Sequence, residues 1–383
     1  MTVRTPETAE ELAGTLRCAA EAKQTISLEG GGSKRAMGGP IEGQATISTA
    51  RLTRLLAYEP RDLTISVEAG MRWSELVRLL AENGQMAPLD PPFADTATVG
   101  GVVAANCSGP RRRLYGTARD LVIGMRFATL EGKLVETGGM VVKNVAGLDM
   151  GKLMIGSFGT LAAIVSVNFK VLPLPVEERS FLLQFDSAAE AAAARKAILK
   201  GMLDPAAVDL LNPAAGATVG KAAWLLGIRA GGNAASVRRY EREFSKAWRG
   251  AVFEGAGHGR LWRHIEEFTP WFLAKHPDGA VVRVSCTLKE VEPIAESFAG
   301  PAIARAGTGV CYGYFDRAGA AAAWLADAAR RGWKSVIEFA PAEWKRGAGL
   351  WPAPSGDLEI MRRVKKLFDP DELLNRGRLY GRI

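Results

Sequence analysis

Hydrophobic and polar positions follow two different periods over the first 85 residues, and each period predicts its own kind of element. Thr5 with Pro6 behind it makes an N-cap and first-turn pair, opening an amphipathic helix that runs to residue 22. Residues 25–28 read as a short strand leading straight into Glu29-Gly30-Gly31-Gly32-Ser33-Lys34. Further strands fall at residues 45–48 and 63–68. From Trp73 a helix carries Leu76, Leu79 and Leu80 on one face and ends at Gly84. This is a small α/β unit whose first strand feeds a glycine loop.

From Asp90 to Leu172 the pattern changes to short strands and turns, with helical spacing only around Met150 to Met154. Gly100, Gly101, Gly109, Gly116, Gly147, Gly156 and Gly159 sit between β-branched runs such as Val102-Val103 and residues 164–167. Glycine weakens a strand unless close approach or positive φ demands it, so this density predicts a long ligand lying along main chain. Pro173 and Pro175 mark a hinge. Beyond it, Ser187-x-x-Glu190 predicts a capping box ahead of an alanine-rich helix to residue 200. Strands at 223–229 and 280–285 alternate with helices at 234–248 and 319–331. Leu358, Met361, Val364 and Phe368 then fall at helical spacing until Asp369-Pro370 stops the run. The remainder is too short to stand alone and must pack on something already built. The expected domains are 1–174, an α+β domain over 175–339, and a returning segment over 340–383.

Composition narrows the function classes. A chain of 383 residues with 48% hydrophobic and 23% charged content is a globular protein of more than one domain. No run approaches the roughly 18 apolar residues that a membrane span needs. The first eleven residues are acidic and lack an apolar signal core, which predicts a cytoplasmic chain. Cys18, Cys107, Cys286 and Cys311 are far apart with no CxxC pair, so reduced thiols are expected, and no cluster or metal held by this chain. The net charge of +8 is spread along the sequence without a nucleic-acid motif, which argues against a nucleic-acid partner. The one dense basic cluster, Arg111-Arg112-Arg113, reads either as a solvated loop or as a docking patch for an acidic partner subunit or an anionic membrane surface.

Three glycine devices carry the chemistry. Successive N–H groups of Gly30-Gly31-Gly32-Ser33 can form a concave anion nest suited to a pyrophosphate. No GxxxxGK[ST] or GxGxxG spacing occurs. In Thr98-Val99-Gly100-Gly101-Val102-Val103-Ala104-Ala105-Asn106, small residues would let a flat ring or ribityl chain lie against the backbone. Gly156-Ser157-Phe158-Gly159-Thr160-Leu161 repeats the device before another strand.

In this order, with YGTARDLV, KNVAGLDM and LFDPDELLNRGR, these motifs resemble the flavoproteins of the vanillyl-alcohol oxidase and p-cresol methylhydroxylase (PCMH) type. Within that family they are most similar to the smaller FAD-binding subunits of bacterial glycolate-oxidising complexes. The resemblance covers most of residues 25–175 and 340–383. It implies an α+β fold: a two-subdomain PCMH-type FAD-binding domain, a smaller α+β cap domain over the flavin ring, and a C-terminal segment returning to the FAD domain. It places Gly30, Gly31, Gly32, Ser33 and Lys34 on the pyrophosphate. Asp90, Pro91, Thr98, Val99, Gly100, Gly101, Ala104, Ala105, Ser108 and Gly109 would line pyrophosphate, ribityl chain and ring edge. Gly116 and Ile164 would close the adenine and ribityl end. Asn375 corresponds to the family's asparagine near the ring, with Arg376 following where the family usually has proline.

The FAD is expected to be noncovalent, because His258, His264 and His276 all lie in the proposed cap, away from the glycine loop. Cys107 is the other conceivable attachment point, against the commoner role of a small buried thiol. The histidines are spaced six and twelve apart, which fits no usual metal pair, so structural or surface roles are expected. Arg283, in VVRVS, and Arg305 are the cap arginines expected to bind a substrate carboxylate, with a solvated sheet edge as the alternative. The resemblance further implies a larger FAD-containing catalytic subunit, an iron–sulfur subunit as electron acceptor, a small 2-hydroxyacid substrate and a peripheral place at the cytoplasmic membrane through the complex. A stand-alone D-2-hydroxyacid dehydrogenase and a non-catalytic flavin scaffold are the competing readings.

Overall fold

The computed structural model describes residues 2–140, 148–354, 356–381 and 383; Lys143, Asn144 and Gly147 of KNVAGLDM lie outside the described residues. The chain forms two compact units. The first comprises Met1–Cys107, Thr117–Leu174 and Ala353–Ile383, and the second comprises Ser108–Gly116 and Pro175–Pro352.

In the first unit β1 (Thr2–Arg4), β2 (Ile26–Glu29) and β3 (Ala45–Ser48) form a parallel sheet in the order β1-β3-β2. Parallel pairing requires a crossover, and helix Ala9–Glu21 supplies it between β1 and β2. The helix starts later than the Thr5-Pro6 signal suggests. Thr8 is its cap, with Oγ1 accepting the Glu11 N–H at 3.1 Å, because Thr2–Arg4 is drawn into the sheet beside β3. A second, antiparallel sheet runs β4-β5-β9-β7-β8. Its strands are β4 (Leu55–Glu59), β5 (Thr64–Glu68), β7 (Val122–Ala128), β8 (Leu134–Gly138) and β9 (Ala163–Lys170), while β6 (Gln85–Met86) pairs with β10 (Leu172–Pro173). Leu12 and Leu16 of the first helix pack with Ile26, Ile47, Val165 and Leu374, so both sheets and the C-terminal segment share one core.

Residues 90–172 are more helical than their pattern suggests. Short helices form at Val99–Ala104, Arg112–Tyr115, Ala118–Leu121 and Gly151–Met154, and Val102-Val103 lies inside the first of them. Six residues make fewer than two turns, too few for a 3.6-residue period to show against two glycines.

The second unit is built on an eight-stranded sheet in the order β14-β11-β13-β12-β16-β17-β15-β18, antiparallel at every pairing. The strands are β11 (Glu177–Phe185), β12 (Ala207–Leu211), β13 (Trp224–Gly232), β14 (Gly250–Phe253), β15 (Ala280–Ser285), β16 (Ala302–Arg305), β17 (Val310–Phe315) and β18 (Lys334–Phe339). One face presents Phe181, Leu183, Leu210, Ile228, Val282, Ala304 and Cys311 to a core shared with helices Ala188–Lys200, Ala234–Ala247, Val291–Glu296 and Ala318–Arg330. The helix at residue 188 starts from Ser187, whose Oγ accepts the Glu190 N–H at 3.2 Å; the Glu190 carboxylate in return accepts from Asp186, one residue before the cap.

The register puts Ser180, Asp209, Arg229, Arg305, Tyr312 and Arg283 on the opposite face, which is polar although much of it is buried. Helices Gly255–Glu266 and Phe268–Lys275 cover part of that face. Trp262 donates to Ser180 Oγ at 2.8 Å, and the Phe268 ring lies 4.7 Å from that of Tyr314.

Candidate functional site

The glycine loop leaves the end of β2 and turns at Gly32, whose φ of +70 is left-handed. Its path is dictated by the segment beside it. A Cβ on Gly30 would stand 2.1 Å from Thr98 Oγ1, and one on Gly31 would stand 2.3 Å from the Thr96 carbonyl oxygen. Two of the three glycines are therefore required by the protein's own close packing, Gly30 against the Thr98 side chain and Gly31 against backbone. The loop ends at Lys34, whose Nζ is buried without a hydrogen-bond partner and lies 5.8 Å from the Phe93 ring centre. Phe93 and the buried Asp90 both hold positive φ, at +64 and +46. Non-glycine residues adopt that conformation at a cost, so the 90–97 approach is strained.

Thr98 then caps helix Val99–Ala104 by accepting the Gly101 N–H at 3.3 Å. The neighbouring N–H groups of Val99 and Gly100 are spent on the carbonyls of Met71 and Ala69. The two glycines differ. A Cβ on Gly100 would meet Ala69 Cβ at 2.7 Å, whereas one on Gly101 would meet only Thr98 Oγ1, at 3.2 Å. Gly100 serves packing, and Gly101 presents bare main chain to open space.

The third device is tied to the second. The N–H groups of Gly156 and Phe158 donate to the carbonyls of Val103 and Ala104 at 3.2 and 2.8 Å. Asn375 ties it to the first: its Nδ2 donates to the Phe158 and Leu28 carbonyls at 2.7 and 3.1 Å, and its Oδ1 accepts the Leu28 N–H at 2.7 Å. All three glycine segments thus meet around β2, with Asn375 committed to backbone. Ala104 and Ala105 are half-buried at the end of the helix, and Cys107 is buried beyond it. Ile164 is buried in β9, opposite Phe127. Ser108, Gly109 and Gly116 belong to the second unit, with Ser108 Oγ buried and lacking a hydrogen-bond partner.

Two supporting residues escape single-sequence reasoning. Arg378 is buried behind the glycine loop and donates to the carbonyls of Lys34, Arg35 and Gly39 at 2.8, 2.9 and 3.3 Å. Burial brings its pKa down to about 10, against the pull of Glu29. Lys365 Nζ donates to the Thr160 and Leu374 carbonyls and to Asp369 at 2.7, 2.9 and 2.6 Å, pinning the C-terminal segment to the 156–160 loop. Burial lowers the Lys365 pKa, with Asp369 opposing. The NRGR and FDPDEL motifs contain Arg378 and Asp369, but motif position does not reveal that they brace backbone.

In the second unit Arg305 is buried in β16 and paired with Asp209. Burial works against its charge, yet Asp209, Tyr312 and Tyr314 hold its pKa above the ordinary value. Arg283 sits directly across the ladder from Tyr312, lies 3.4 Å from Glu338 and keeps a third of its side chain exposed. Burial pushes the Tyr312 hydroxyl up to about 12. The basic cluster is no solvated loop. Arg111, Arg112 and Arg113 are all half-buried, and Arg113 binds Asp204 at 2.6 Å and closes on the Pro205 carbonyl. His258 links Ser180 at 2.8 Å to Glu178 at 3.6 Å; burial opposes the Glu178 charge, but His258 and Arg229 hold it well below the carboxylate range. His264 bonds Thr218 Oγ1 at 2.8 Å, and His276 stacks on Phe272. These are structural positions. Among the described residues no group of three His, Cys, Asp or Glu is placed to hold a metal ion, and no helix is long and apolar enough to cross a membrane.

The first unit fits a phosphate-bearing cofactor. The Lys34 ammonium atom is shielded from water and has no hydrogen-bond acceptor, which pyrophosphate oxygens would supply. Comparison with known proteins agrees. Residues 2–138 match the family described as FAD binding domain, and residues 353–379 match FAD linked oxidases, C-terminal domain. The chain is 39% identical over 154 residues to glycolate oxidase subunit GlcE of Escherichia coli, covering 40% of this chain and 44% of that protein. It is 28% identical over 208 residues to glycolate oxidase subunit GlcD of Bacillus subtilis, covering 54% and 44%. It is 31% identical over 209 residues to the mitochondrial D-lactate dehydrogenase [cytochrome] of Arabidopsis thaliana, covering 54% and 36%. The chain thus matches less than half the length of these curated relatives. In fold it is similar to an alkyldihydroxyacetonephosphate synthase, with TM-score 0.73 and 19% identity over 97% of this chain and 75% of that one. A 4-ethylphenol oxidase from Gulosibacter chungangensis gives TM-score 0.73 and 15% identity over 99% and 89%.

Proposed function

We propose that this chain, which carries a PCMH-type FAD binding domain and takes FAD as its cofactor, is the FAD-carrying subunit of a glycolate-oxidising complex. When bound, FAD supplies a two-electron acceptor for the hydrogen on the hydroxyl-bearing carbon of a 2-hydroxyacid. In this reading glycolate becomes glyoxylate, and the electrons leave through an iron–sulfur partner subunit beside a larger FAD-containing catalytic subunit. The observation that carries the cofactor assignment is the buried, unpartnered Lys34 ammonium at the end of a glycine-lined segment.

The chain's own residues divide the work. Lys34 and the N–H groups of Gly30 to Ser33 hold the pyrophosphate, with noncovalent attachment. Thr98, Val99, Gly101, Ala104 and Ala105 provide low-relief main chain for the ribityl chain and ring. Asn375 and Arg378 keep these segments in place through backbone carbonyls. In the second unit Arg283 is the substrate-carboxylate residue, because it is part-exposed and keeps guanidinium donors for an anion. Arg305 is already neutralised by Asp209, which suits it to positioning that face rather than to clamping substrate.

A second reading, a stand-alone D-2-hydroxyacid dehydrogenase, draws support from the similarity to D-lactate dehydrogenases. Anaerobic addition of glycolate or D-lactate to the purified flavoprotein, alone and with its partner subunits, separates the two. Bleaching of the flavin only in the assembled complex supports the subunit reading. Bleaching of the isolated chain supports the dehydrogenase, and a chain that takes up no FAD leaves only a scaffold.

A further inference from the structure

We propose that Cys286 and Cys311 form a peroxide-sensitive dithiol that closes to a reversible disulfide within the second unit. Their sulfurs lie 3.9 Å apart. Cys311 is fully buried in β17, with its Sγ 3.8 Å from the Val291 carbonyl, while Cys286 is half-buried directly after β15. Ser285 pairs with Val310, and the Cys286 N–H donates to the Gly309 carbonyl at 2.9 Å, so the two cysteines stand diagonally across one antiparallel ladder. Disulfide formation closes that 3.9 Å gap to a sulfur–sulfur bond of about 2.0 Å. The other two cysteines, Cys18 and Cys107, belong to the first unit.

The surroundings assign the two roles. The Arg195 guanidinium, held by Glu292 at 2.6 and 2.9 Å and by the Leu288 carbonyl at 2.6 Å, favours a thiolate at Cys286, while Glu290 and Glu292 oppose it. The pair shares protons unequally: the Cys311 hydrogen bond draws the Cys286 thiol below its ordinary value, while the same bond and then burial drive Cys311 well above it. Cys286 is therefore the attacking thiolate and Cys311 the resolving thiol.

The Cys286 thiolate attacks one oxygen of hydrogen peroxide. The O–O bond breaks, Cys286 becomes a sulfenic acid, and the released hydroxide takes a proton to leave as water. Cys311 then loses its proton and attacks the Cys286 sulfur, expelling the second oxygen as water. Two thiols are oxidised by two electrons, and one peroxide is reduced to two waters. A dithiol reductant reverses the bond by exchange.

The test uses the full FAD-loaded chain, exposed to hydrogen peroxide, denatured, alkylated and mapped by mass spectrometry. The expected result is joint loss of alkylation at Cys286 and Cys311 and a linked peptide pair about 2 mass units lighter than its two thiol peptides, restored by dithiothreitol. Cys286→Ser should leave Cys311 fully alkylated after peroxide. Cys311→Ala should leave a dimedone-trappable sulfenic acid on Cys286. A urea unfolding transition and near-ultraviolet circular dichroism matching the parent chain report that each variant is folded. Over-oxidised, unlinked Cys286, or a pair still fully alkylated when the exposed Cys18 has been oxidised, overturns the proposal.

Discussion

The side-chain amide of Asn375 donates to the backbone carbonyl of Phe158 at 2.7 Å, across 217 positions of sequence. The same amide exchanges two hydrogen bonds with Leu28, so one residue near the C-terminus fixes the end of β2 against the 156–160 loop. Gly159 is glycine for this reason: a Cβ there would stand 2.9 Å from Asn375 Nδ2, at a φ of +69.

Asn375→Ala should therefore do more than trim a polar group. It leaves two part-buried carbonyls and an N–H without this partner, each costing up to about 1–3 kcal/mol. Urea denaturation should show a loss of roughly 2–4 kcal/mol, and the flavin-to-protein ratio should fall with it. A change within experimental error in both quantities would remove Asn375 from the scaffold of the site.

Gly100 and Gly101 should respond in opposite ways. Gly101→Ala should leave the apoprotein unchanged or stabilise it by about 0.5–1 kcal/mol, because alanine favours the helix. Gly101→Val should abolish FAD retention while circular dichroism stays native, since the branched side chain enters the space assigned to the cofactor. Gly100→Val should instead impair folding, through collision with Ala69 Cβ. Full flavin occupancy in folded Gly101→Val contradicts the placement of the cofactor.

Asp209→Asn strips the counter-charge from the buried Arg305 and should cost about 3–5 kcal/mol, read by urea denaturation. The double change Asp209→Leu with Arg305→Met should recover most of that loss, because an apolar pair leaves no charge unpaired. Equal instability of the single and double variants would show that the pair matters for a reason other than its charge.

Acid should weaken the second unit partly through His264. Burial lowers its pKa from the ordinary 6.5, so the folded state binds its proton less readily than the unfolded chain. Stability from this source is present above the unfolded value and declines as pH falls below about 6.5. The thermal midpoint should drop between pH 7.5 and roughly pH 5, and His264→Gln should flatten that part of the curve. An unaltered pH profile in the variant assigns the titration elsewhere.

The local elements were legible wherever a period had room to appear. The strand at Ala45–Ser48 and the helix at Asp357–Phe368 follow directly from alternation and from Leu358, Met361, Val364 and Phe368. Helix Val99–Ala104 was hidden because six residues with two glycines offer almost no period; Thr98 as a cap was the one signal. The second unit's eight-stranded sheet was legible only in part. β12 and β16 are buried along their whole length and show no alternation, although Asp209 and Arg305 sit within them. The glycine devices announced a ligand through composition, but which glycines face it and which serve packing depends on neighbours such as Ala69 and Thr98 that no spacing reveals. The family resemblance supplied FAD, which residue chemistry alone left at an unspecified large cofactor.

The most direct test is Lys34→Met, measured in both states of the first unit. If the buried ammonium waits for the FAD pyrophosphate, removing it should stabilise the apoprotein against urea and weaken FAD binding about tenfold or more, two effects of opposite sign. Unchanged FAD affinity together with a destabilised apoprotein would contradict the account, because Lys34 would then serve the fold and not the cofactor.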